Sequence, residues 1–148
     1  MRCRLPGTMQ KTTVLFLCTH NSARSQMAEG LLRHLAGDRF EVISAGTKAT
    51  HVRPLAEQAM DELGIDISGQ ESKLLERYLG KTFDYVITVC DDANEVCPVF
   101  PGARRRLHWS FEDPAQATGS EEERLRVFQS VRNKIRERIK GDLLSQDG

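Results

Sequence analysis

The sequence predicts an α/β fold in which helices cover both faces of an open, mostly parallel sheet of four strands. Short apolar runs alternate with segments of helical periodicity along most of the chain, which is the pattern of βαβ units. No repeat, low-complexity tract or linker divides the sequence, and 148 residues suit one domain with its own core.

The first three elements follow a short polar segment. Residues 14–17 form an apolar run rich in strand formers, which is typical of a strand buried on both faces. A helix comes next, because Met27, Leu31 and Leu35 recur at helical spacing. Residues 41–45 form the second predicted strand. The order at the start of the chain is therefore strand, tight loop, helix, strand.

The second half repeats this alternation. Pro54 suits the first turn of a second helix, and Gly64 suits its end. A short amphipathic stretch follows and stops at Gly80. The last helix has one apolar face and one charged face. The remaining predicted elements are this amphipathic stretch at residues 74–79, strands at residues 85–89 and 106–109, and the final helix over residues 125–139.

Composition and charge exclude several classes of partner and location. The formal net charge is zero, so no global charge favours nucleic acid or an anionic membrane as a partner. No apolar run approaches the roughly 20 residues of a membrane span, and residues 1–10 lack the apolar stretch of a signal peptide. We therefore expect a cytoplasmic monomer with reduced cysteines. Residues 1–12 are expected to be a frayed extension, with Met9 as an alternative start, and residues 13–145 to be the single catalytic domain.

The segment from Cys18 to Arg24 has the features of an anion-binding loop. It joins a buried strand to a helix, where backbone N–H groups and the helix dipole can converge on one anion. Arg24 adds a planar bidentate donor, and the same positive field favours the thiolate form of Cys18. The alternative is a buried core cysteine near a surface arginine. The predicted oxyanion-binding residues are Thr19, His20, Asn21, Ser22, Ala23, Arg24 and Ser25.

Cys90 and Cys97 form a second group of candidate reactive residues. Their spacing does not match a zinc site, and two unrelated core thiols are the alternative. Seven helical steps would put their Cα atoms roughly 10 Å apart, whereas a disulfide needs them within about 7 Å. If the residues between them are helical when reduced, a Cys90–Cys97 disulfide requires that turn to unwind. The pair is therefore a candidate redox switch.

Asp113 is a candidate general acid. It precedes Pro114, and a residue before proline adopts extended or turn geometry that lets its side chain project from a loop. It also follows the last predicted strand, so it belongs to the sheet edge where ligands bind. Protonation of a leaving oxygen is the role that suits it. A surface turn carboxylate is the alternative.

Together these segments resemble the thioredoxin-coupled arsenate reductases, which share the fold of the low-molecular-weight protein tyrosine phosphatases. The segments that carry the resemblance are VLFLCTHNSARSQMAEG, ISAGT, GIDIS, VITVCDDANEVCP and HWSFEDPA. The resemblance implies that Cys18 attacks arsenate and that Asp113 protonates the departing hydroxyl. Cys90 would then attack Cys18 and release arsenite, and Cys97 would form the final disulfide with Cys90. Thioredoxin would reduce that disulfide, so the resemblance implies no metal, flavin or other cofactor.

The sequence departs from this family in two places, and other functions stay open. Ala23 stands where several members carry a further cysteine. Some members bind potassium through residues that match Asn21, Glu29 and Ser44 and through an aspartate, which is Lys73 here; a fixed ammonium would replace the ion. A phosphomonoesterase of the same fold is the main alternative function, and a non-catalytic oxyanion or redox sensor is another. Glutaredoxin or a small thiol is an alternative reductant.

Overall fold

A computed structural model describes residues 11–91 and 98–144 of the chain. The four strands are β1 (Thr12–Cys18), β2 (Phe40–Gly46), β3 (Phe83–Thr88) and β4 (Ala103–His108). The α-helices are α1 (Arg24–Ala36), α2 (Pro54–Asp61) and α3 (Glu121–Arg138). Short 3₁₀ turns cover Leu75–Tyr78 and Pro114–Gln116, and a π-helical turn over Ile139–Leu144 extends α3.

All four strands are parallel, in the order β2-β1-β3-β4. Because β1 lies between β2 and β3, the connection from β1 to β2 runs one way along the sheet, and the connection from β2 to β3 runs back past β1. In sheets of this kind the crevice beyond the carboxyl ends of the two strands at the reversal is where ligands bind. This position lies between the ends of β1 and β3, which places Cys18 and Cys90 at the ligand-binding edge.

Each face of the sheet carries its own apolar cluster. Val14 and Phe16 of β1 belong to the larger cluster, which also contains buried residues of α1, α2 and α3. Leu15 and Leu17 belong to the smaller cluster on the opposite face, which Tyr78 and Phe100 help to cover. Successive residues of a strand point to opposite faces, so β1 is buried on both sides as its composition predicts.

The predicted fold class is confirmed, and several element boundaries differ from the prediction. β4 begins at Ala103 instead of residue 106, because it is an edge strand whose exposed arginines conceal the apolar pattern. β3 covers Phe83–Thr88 instead of residues 85–89. Of the amphipathic stretch at residues 74–79, only Leu75–Tyr78 is helical, and two of its leucines remain exposed. Thr12, predicted to belong to the extension, pairs with Phe40 in the sheet.

A polar contact joins α2 to α3 behind the sheet. Arg132 of α3 is buried and donates through Nη1 to the carbonyl oxygen of Ala59 at 2.6 Å and to Glu62 Oε1 at 2.8 Å. The hydrogen bond from Arg132 to Glu62, with those from Gln129, lowers the pKa of the Glu62 carboxyl below its ordinary value. The contact keeps α2, and the loop that precedes it, at a fixed place on the sheet. Within residues 11–91 and 98–144, we find no helix with the length and apolar character needed to cross a membrane.

Candidate active site

Cys18 is the last residue of β1 and is 2% exposed. Its Sγ lies 2.8 Å from Ser25 Oγ, in the first turn of α1. The backbone N–H of Asn21 donates to the same sulfur at 3.2 Å. Two polar groups therefore point at Cys18 Sγ, and both suit a thiolate as hydrogen-bond acceptor.

The carbonyl groups of the loop after Cys18 are held by residues that surround the loop. Lys48 N donates to Thr19 O and Arg53 N to Ser22 O, both at 2.9 Å. The two central carbonyls accept from side chains instead: Ser72 Oγ donates to His20 O at 3.1 Å and Gln26 Nε2 to Asn21 O at 3.0 Å. Four successive carbonyls of the loop therefore have donors outside it.

This arrangement orients the loop amides. In a trans peptide the C=O of one residue and the N–H of the next point in opposite directions. The outward carbonyls of residues 19–22 therefore turn the N–H groups of residues 20–23 toward the inside of the loop, and the bond from Asn21 N to Cys18 Sγ is one direct example. The loop leads into α1, whose N-terminal dipole adds to the positive field. A concave set of N–H groups at a helix N-terminus is an oxyanion site.

Two residues allow the chain to bend this tightly. Asn21 has φ of 49°, in the left-handed region that asparagine tolerates better than most residues. Gly46, at the end of β2, lies against the loop: a Cβ there would be 2.7 Å from the carbonyl oxygens of both Cys18 and Thr19. Any larger residue at position 46 would push the loop outward, so the strand end at Gly46 is part of the site.

The side chain of Asn21 connects the loop to the sheet. Its Nδ2 donates to Ser25 Oγ at 2.8 Å and to Ser44 Oγ at 2.9 Å. Its Oδ1 accepts from the backbone N–H of Lys73 at 2.7 Å. Asn21 is completely buried, so these bonds satisfy a side chain that would otherwise be costly to bury. They also fix Ser25 beside Cys18 Sγ.

Arg24 joins the loop to the segment that contains Asp113. The guanidinium is 2% exposed; Nη1 donates to the carbonyl oxygen of Phe111 at 3.1 Å, and Nη2 lies 3.7 Å from Asp113 Oδ2. Asp113 Oδ1 accepts from Ala115 N at 3.0 Å, in a turn that Pro114 begins. The predicted oxyanion donor and the predicted general acid therefore lie side by side.

Cys90 follows the end of β3, the strand that pairs with β1. β1 and β3 pair in register at Leu17 and Thr88, and Val89 N donates to Leu17 O at 2.9 Å. Adjacent strands are about 4.8 Å apart, and both thiols belong to the larger core cluster. Cys90 is 0% exposed. Cys97 lies outside the described residues, so the distance between the second and third thiols of the predicted relay stays a prediction.

Glu29 and Lys73 lie directly behind the loop. Ser44 Oγ donates to Glu29 Oε1 at 2.5 Å, and Lys73 Nζ lies 3.6 Å from the same oxygen. Lys73 Nζ also donates to the carbonyl oxygen of Glu71 at 2.9 Å. The residues that match a potassium site, Asn21, Glu29 and Ser44, are thus close together, and the Lys73 ammonium lies among them. These residues do not fit a further cation, because Lys73 already supplies a positive charge to Glu29.

The structure thus brings Cys18, Cys90, Arg24, Asp113 and the loop residues to one end of the sheet, as predicted from the sequence. Sequence reasoning missed the residues that hold the loop from outside. A strand that ends in glycine immediately beside a predicted ligand edge was an available signal for one of them, whereas no local pattern marks the others. The missed residues are Gly46, Gln26, Ser72 and Arg53, together with the carbonyl of Phe111.

Comparisons with known proteins agree with this geometry. A family model described as low molecular weight phosphotyrosine protein phosphatase matches residues 13–146. An arsenate reductase of Shouchella clausii (strain KSM-K16) is 51% identical over 132 residues, which are 89% of this chain and 95% of that protein. The chain belongs to the arsenate reductases of the low-molecular-weight phosphatase family. The family resemblance predicted from the sequence is confirmed.

Solved structures of this family superimpose over most of the chain. One described as an arsenate reductase in the phosphate binding state has a TM-score of 0.78 at 34% identity and covers 93% of this chain and 99% of its own. The thioredoxin-dependent arsenate reductase of Corynebacterium glutamicum has a TM-score of 0.61 at 33% identity, covering 92% of this chain and 64% of that one. These solved structures therefore share most of the fold of this chain.

Proposed function

We propose that this protein reduces arsenate to arsenite through a relay of three thiols, Cys18, Cys90 and Cys97, and that thioredoxin reduces the final disulfide. One observation carries the proposal: a buried thiol in an oxyanion loop has a second buried thiol at the end of the adjacent strand. Hydrolysis of a phosphoester needs only the first of them. All three thiols belong to one chain, so we propose that the protein works as a monomer, in the reducing cytoplasm.

The first step uses the oxyanion loop. Arsenate binds to the inward N–H groups and to Arg24, and the Cys18 thiolate attacks arsenic. One hydroxyl leaves as water after it takes a proton from Asp113, and a Cys18–arsenic bond forms. The contact between Arg24 and Asp113 keeps the acid beside the bound oxyanion. The oxidation state of arsenic does not change in this step.

The second step is the reduction. The Cys90 thiolate attacks Cys18 Sγ, the sulfur–arsenic bond breaks, and its electron pair stays on arsenic. Arsenic leaves as arsenite, and a Cys18–Cys90 disulfide remains. Cys97 then attacks Cys90, returns Cys18 to the thiolate and forms the Cys90–Cys97 disulfide. The two electrons come from thiols, so no flavin or redox metal takes part in the proposal.

The choice of reductant is supported by the burial of the first two thiols and by one relative. Cys18 and Cys90 are 2% and 0% exposed, so a protein reductant cannot approach a disulfide between them. Moving the disulfide to Cys97 takes it away from Cys18. The relative from Corynebacterium glutamicum is described as thioredoxin-dependent, which favours thioredoxin over glutaredoxin or a small thiol for this chain.

A coupled assay tests the proposal. With thioredoxin, its reductase and NADPH, we expect NADPH oxidation that requires arsenate and that disappears in Cys18→Ser. Cys3→Ser is the matched control, because Cys3 lies outside the predicted domain and is expected to change nothing. Arsenate-independent oxidation, or full activity of Cys18→Ser, would show that the proposed function is wrong.

A phosphatase is the second candidate, because the description of the family model favours it. Cys18, Arg24 and Asp113 suffice for the hydrolysis of a phosphomonoester. Ala115 follows the Asp-Pro pair, where an aromatic side chain would be needed to hold a tyrosine ring. Ester hydrolysis that survives Cys90→Ser, in the absence of arsenate turnover, would establish the phosphatase instead.

We further propose that the enzyme needs no potassium, because the Lys73 ammonium holds Glu29. Replacement of potassium by sodium is expected to leave arsenate turnover unchanged. In Lys73→Ala the buried Glu29 loses the cation beside Oε1 and keeps only Arg33, whose Nη2 lies 2.6 Å from Oε2. Both melting temperature and turnover should therefore fall, and potassium should restore part of both. Lys48→Ala is the control, because Lys48 is exposed. Potassium activation of the unaltered protein would contradict this prediction.

A further inference from the structure

A turn at the end of α3 holds the indole of Trp109. Trp109 follows β4 and is 1% exposed, and its Nε1 donates to Asp142 Oδ2 at 2.9 Å. Asp142 belongs to the π-helical turn that extends α3. Arg138, the last residue of α3, lies over the indole with its Cζ 5.6 Å from the ring centroid, and its Nη2 is 3.2 Å from the same Asp142 oxygen. We call Asp142, Arg138 and the indole they hold the Trp109 clamp.

The indole supports the segment that leads into the active site. Phe111 is 6% exposed, and its ring meets the indole edge-on with 6.5 Å between the ring centroids. The carbonyl oxygen of Phe111 accepts from Arg24 Nη1 at 3.1 Å, and Arg24 Nη2 lies 3.7 Å from Asp113 Oδ2. Direct contacts therefore connect the clamp, through Phe111, to the Arg24 guanidinium.

Packing against α3 does not fix this segment. A cleft of about 450 Å³ lies between them, lined by Trp109, Ser110 and Phe111 on one side and by side chains of α3 on the other. Open space beside a side chain provides no contacts that resist its displacement. The segment is next held at Pro114, which is buried at the start of the following turn. Before that point, its place depends on the Trp109 clamp and on the bond to Arg24.

From these contacts we propose that Asp142 is a positioning residue for the oxyanion site. By fixing the indole, it keeps the Phe111 carbonyl and the Asp113 carboxyl beside Arg24. The inference rests on the proposed function, in which Arg24 binds arsenate and Asp113 protonates the departing hydroxyl. Asp142 acts through Trp109 and not on the reacting atoms. Its effect is geometric, because a displacement of about 1 Å at a catalytic group can slow a reaction about 10²-fold.

Asp142→Ala leaves the buried indole N–H without its acceptor, which is costly, and releases Arg138. We expect the rate of arsenite release in a single turnover to fall about 10- to 100-fold. The affinity for inorganic phosphate, an unreactive probe of the oxyanion loop, should fall much less than the rate, because the loop amides lie outside the displaced segment. Asp142→Asn keeps an oxygen that can accept from the indole, so it should restore most of the rate.

A double-mutant cycle separates positioning from stability. If Asp142 places the general acid, Asp142→Ala should lower the rate by a smaller factor in an Asp113→Asn background, in which no acid remains to be placed. Coupling of this kind is expected only for residues that act together. A partly unfolded protein would lose the same fraction of its activity in both backgrounds.

Glu137→Ala is the matched control. Glu137 is an exposed carboxylate of α3 at the rim of the same cleft, and its removal should leave the rate and the phosphate affinity unchanged. Trp109 is the single tryptophan of the chain, so acrylamide quenching of its emission measures how far the clamp has opened. Asp142→Ala should increase the quenching, whereas Glu137→Ala should not.

Two failures are distinguishable in these assays. If the unaltered protein releases no arsenite, the proposed function is wrong, and the same variants compared on hydrolysis of an alkyl phosphate still test the role of Asp142. If arsenite is released but Asp142→Ala stays within about threefold of the unaltered rate, well below the cost of a misplaced catalytic group, the positioning role is wrong. A lower melting temperature with equal losses in both backgrounds would also overturn it, because it would show a role in stability alone.

Discussion

Cys97→Ser is expected to release one arsenite per protein molecule and then to stop, even with thioredoxin and its reductase in excess. The first two thiols are sufficient to reduce one arsenate, and they end as a Cys18–Cys90 disulfide. That disulfide lies between two residues that are 2% and 0% exposed. Thiol–disulfide exchange requires access of the attacking sulfur, so thioredoxin should not rescue it. A rapid-quench assay for arsenite, followed by mapping of the disulfide, measures both parts of the result.

Two further variants test this prediction. Cys90→Ser should give no arsenite at all, because arsenic remains bonded to Cys18 with no thiol placed to displace it. Cys3→Ser should behave like the unaltered protein. Steady turnover of Cys97→Ser with thioredoxin would mean that the Cys18–Cys90 disulfide is accessible, and the third thiol would then be dispensable.

The fold was predictable because burial leaves a local pattern in the central strands. β1 is covered on both faces, so Val14, Leu15, Phe16 and Leu17 are all apolar and completely buried. β4 has no such constraint, since it pairs with only one neighbour. Its three consecutive arginines are compatible with an edge and carry no apolar signal, so its start was predicted three residues too late.

The site was predictable where its residues are consecutive or directly follow a predicted strand. Cys18 and Arg24 belong to one loop between a strand and a helix, and in that context their spacing indicates an anion site. Three of the four donors that turn the loop carbonyls outward come from residues 29 to 52 positions away, among them Ser72 and Arg53, and their contacts depend on how α2 and the following loop pack. Asn21 shows the difference most clearly: its side-chain partners include Ser44 and the backbone of Lys73, which no local pattern connects.

The two halves of the proposed chemistry depend on different levels of the structure. Oxyanion binding is a property of one loop, whereas reduction needs a second thiol at the same edge of the sheet. Parallel pairing of β1 with β3 brings Cys90 to Cys18, and this pairing follows from the strand order. The fold therefore turns a loop that suits either hydrolysis or reduction into a site with two adjacent thiols.

Asp113→Asn is expected to slow the first chemical step by a factor of about 10² to 10⁴, the usual contribution of a general acid. Asparagine keeps an oxygen that can accept from Ala115 N, as Asp113 Oδ1 does at 3.0 Å, so the turn should persist. It cannot donate a carboxyl proton to the departing hydroxyl of arsenate. The measurement is the rate of the arsenite burst in a single turnover without reductant, in which Cys97 and thioredoxin play no part.

Glu112→Gln is the matched control, because Glu112 is the neighbouring carboxylate and is exposed. It should leave the burst rate unchanged. A leaving group that needs no proton provides a second check. In Asp113→Asn, the rate of hydrolysis of an aryl phosphate should fall less than the rate of hydrolysis of an alkyl phosphate. If the burst of Asp113→Asn stays within about tenfold of the unaltered rate, well below the contribution of a general acid, water would be the proton donor. The contact between Arg24 and Asp113 would then serve to orient the arginine instead.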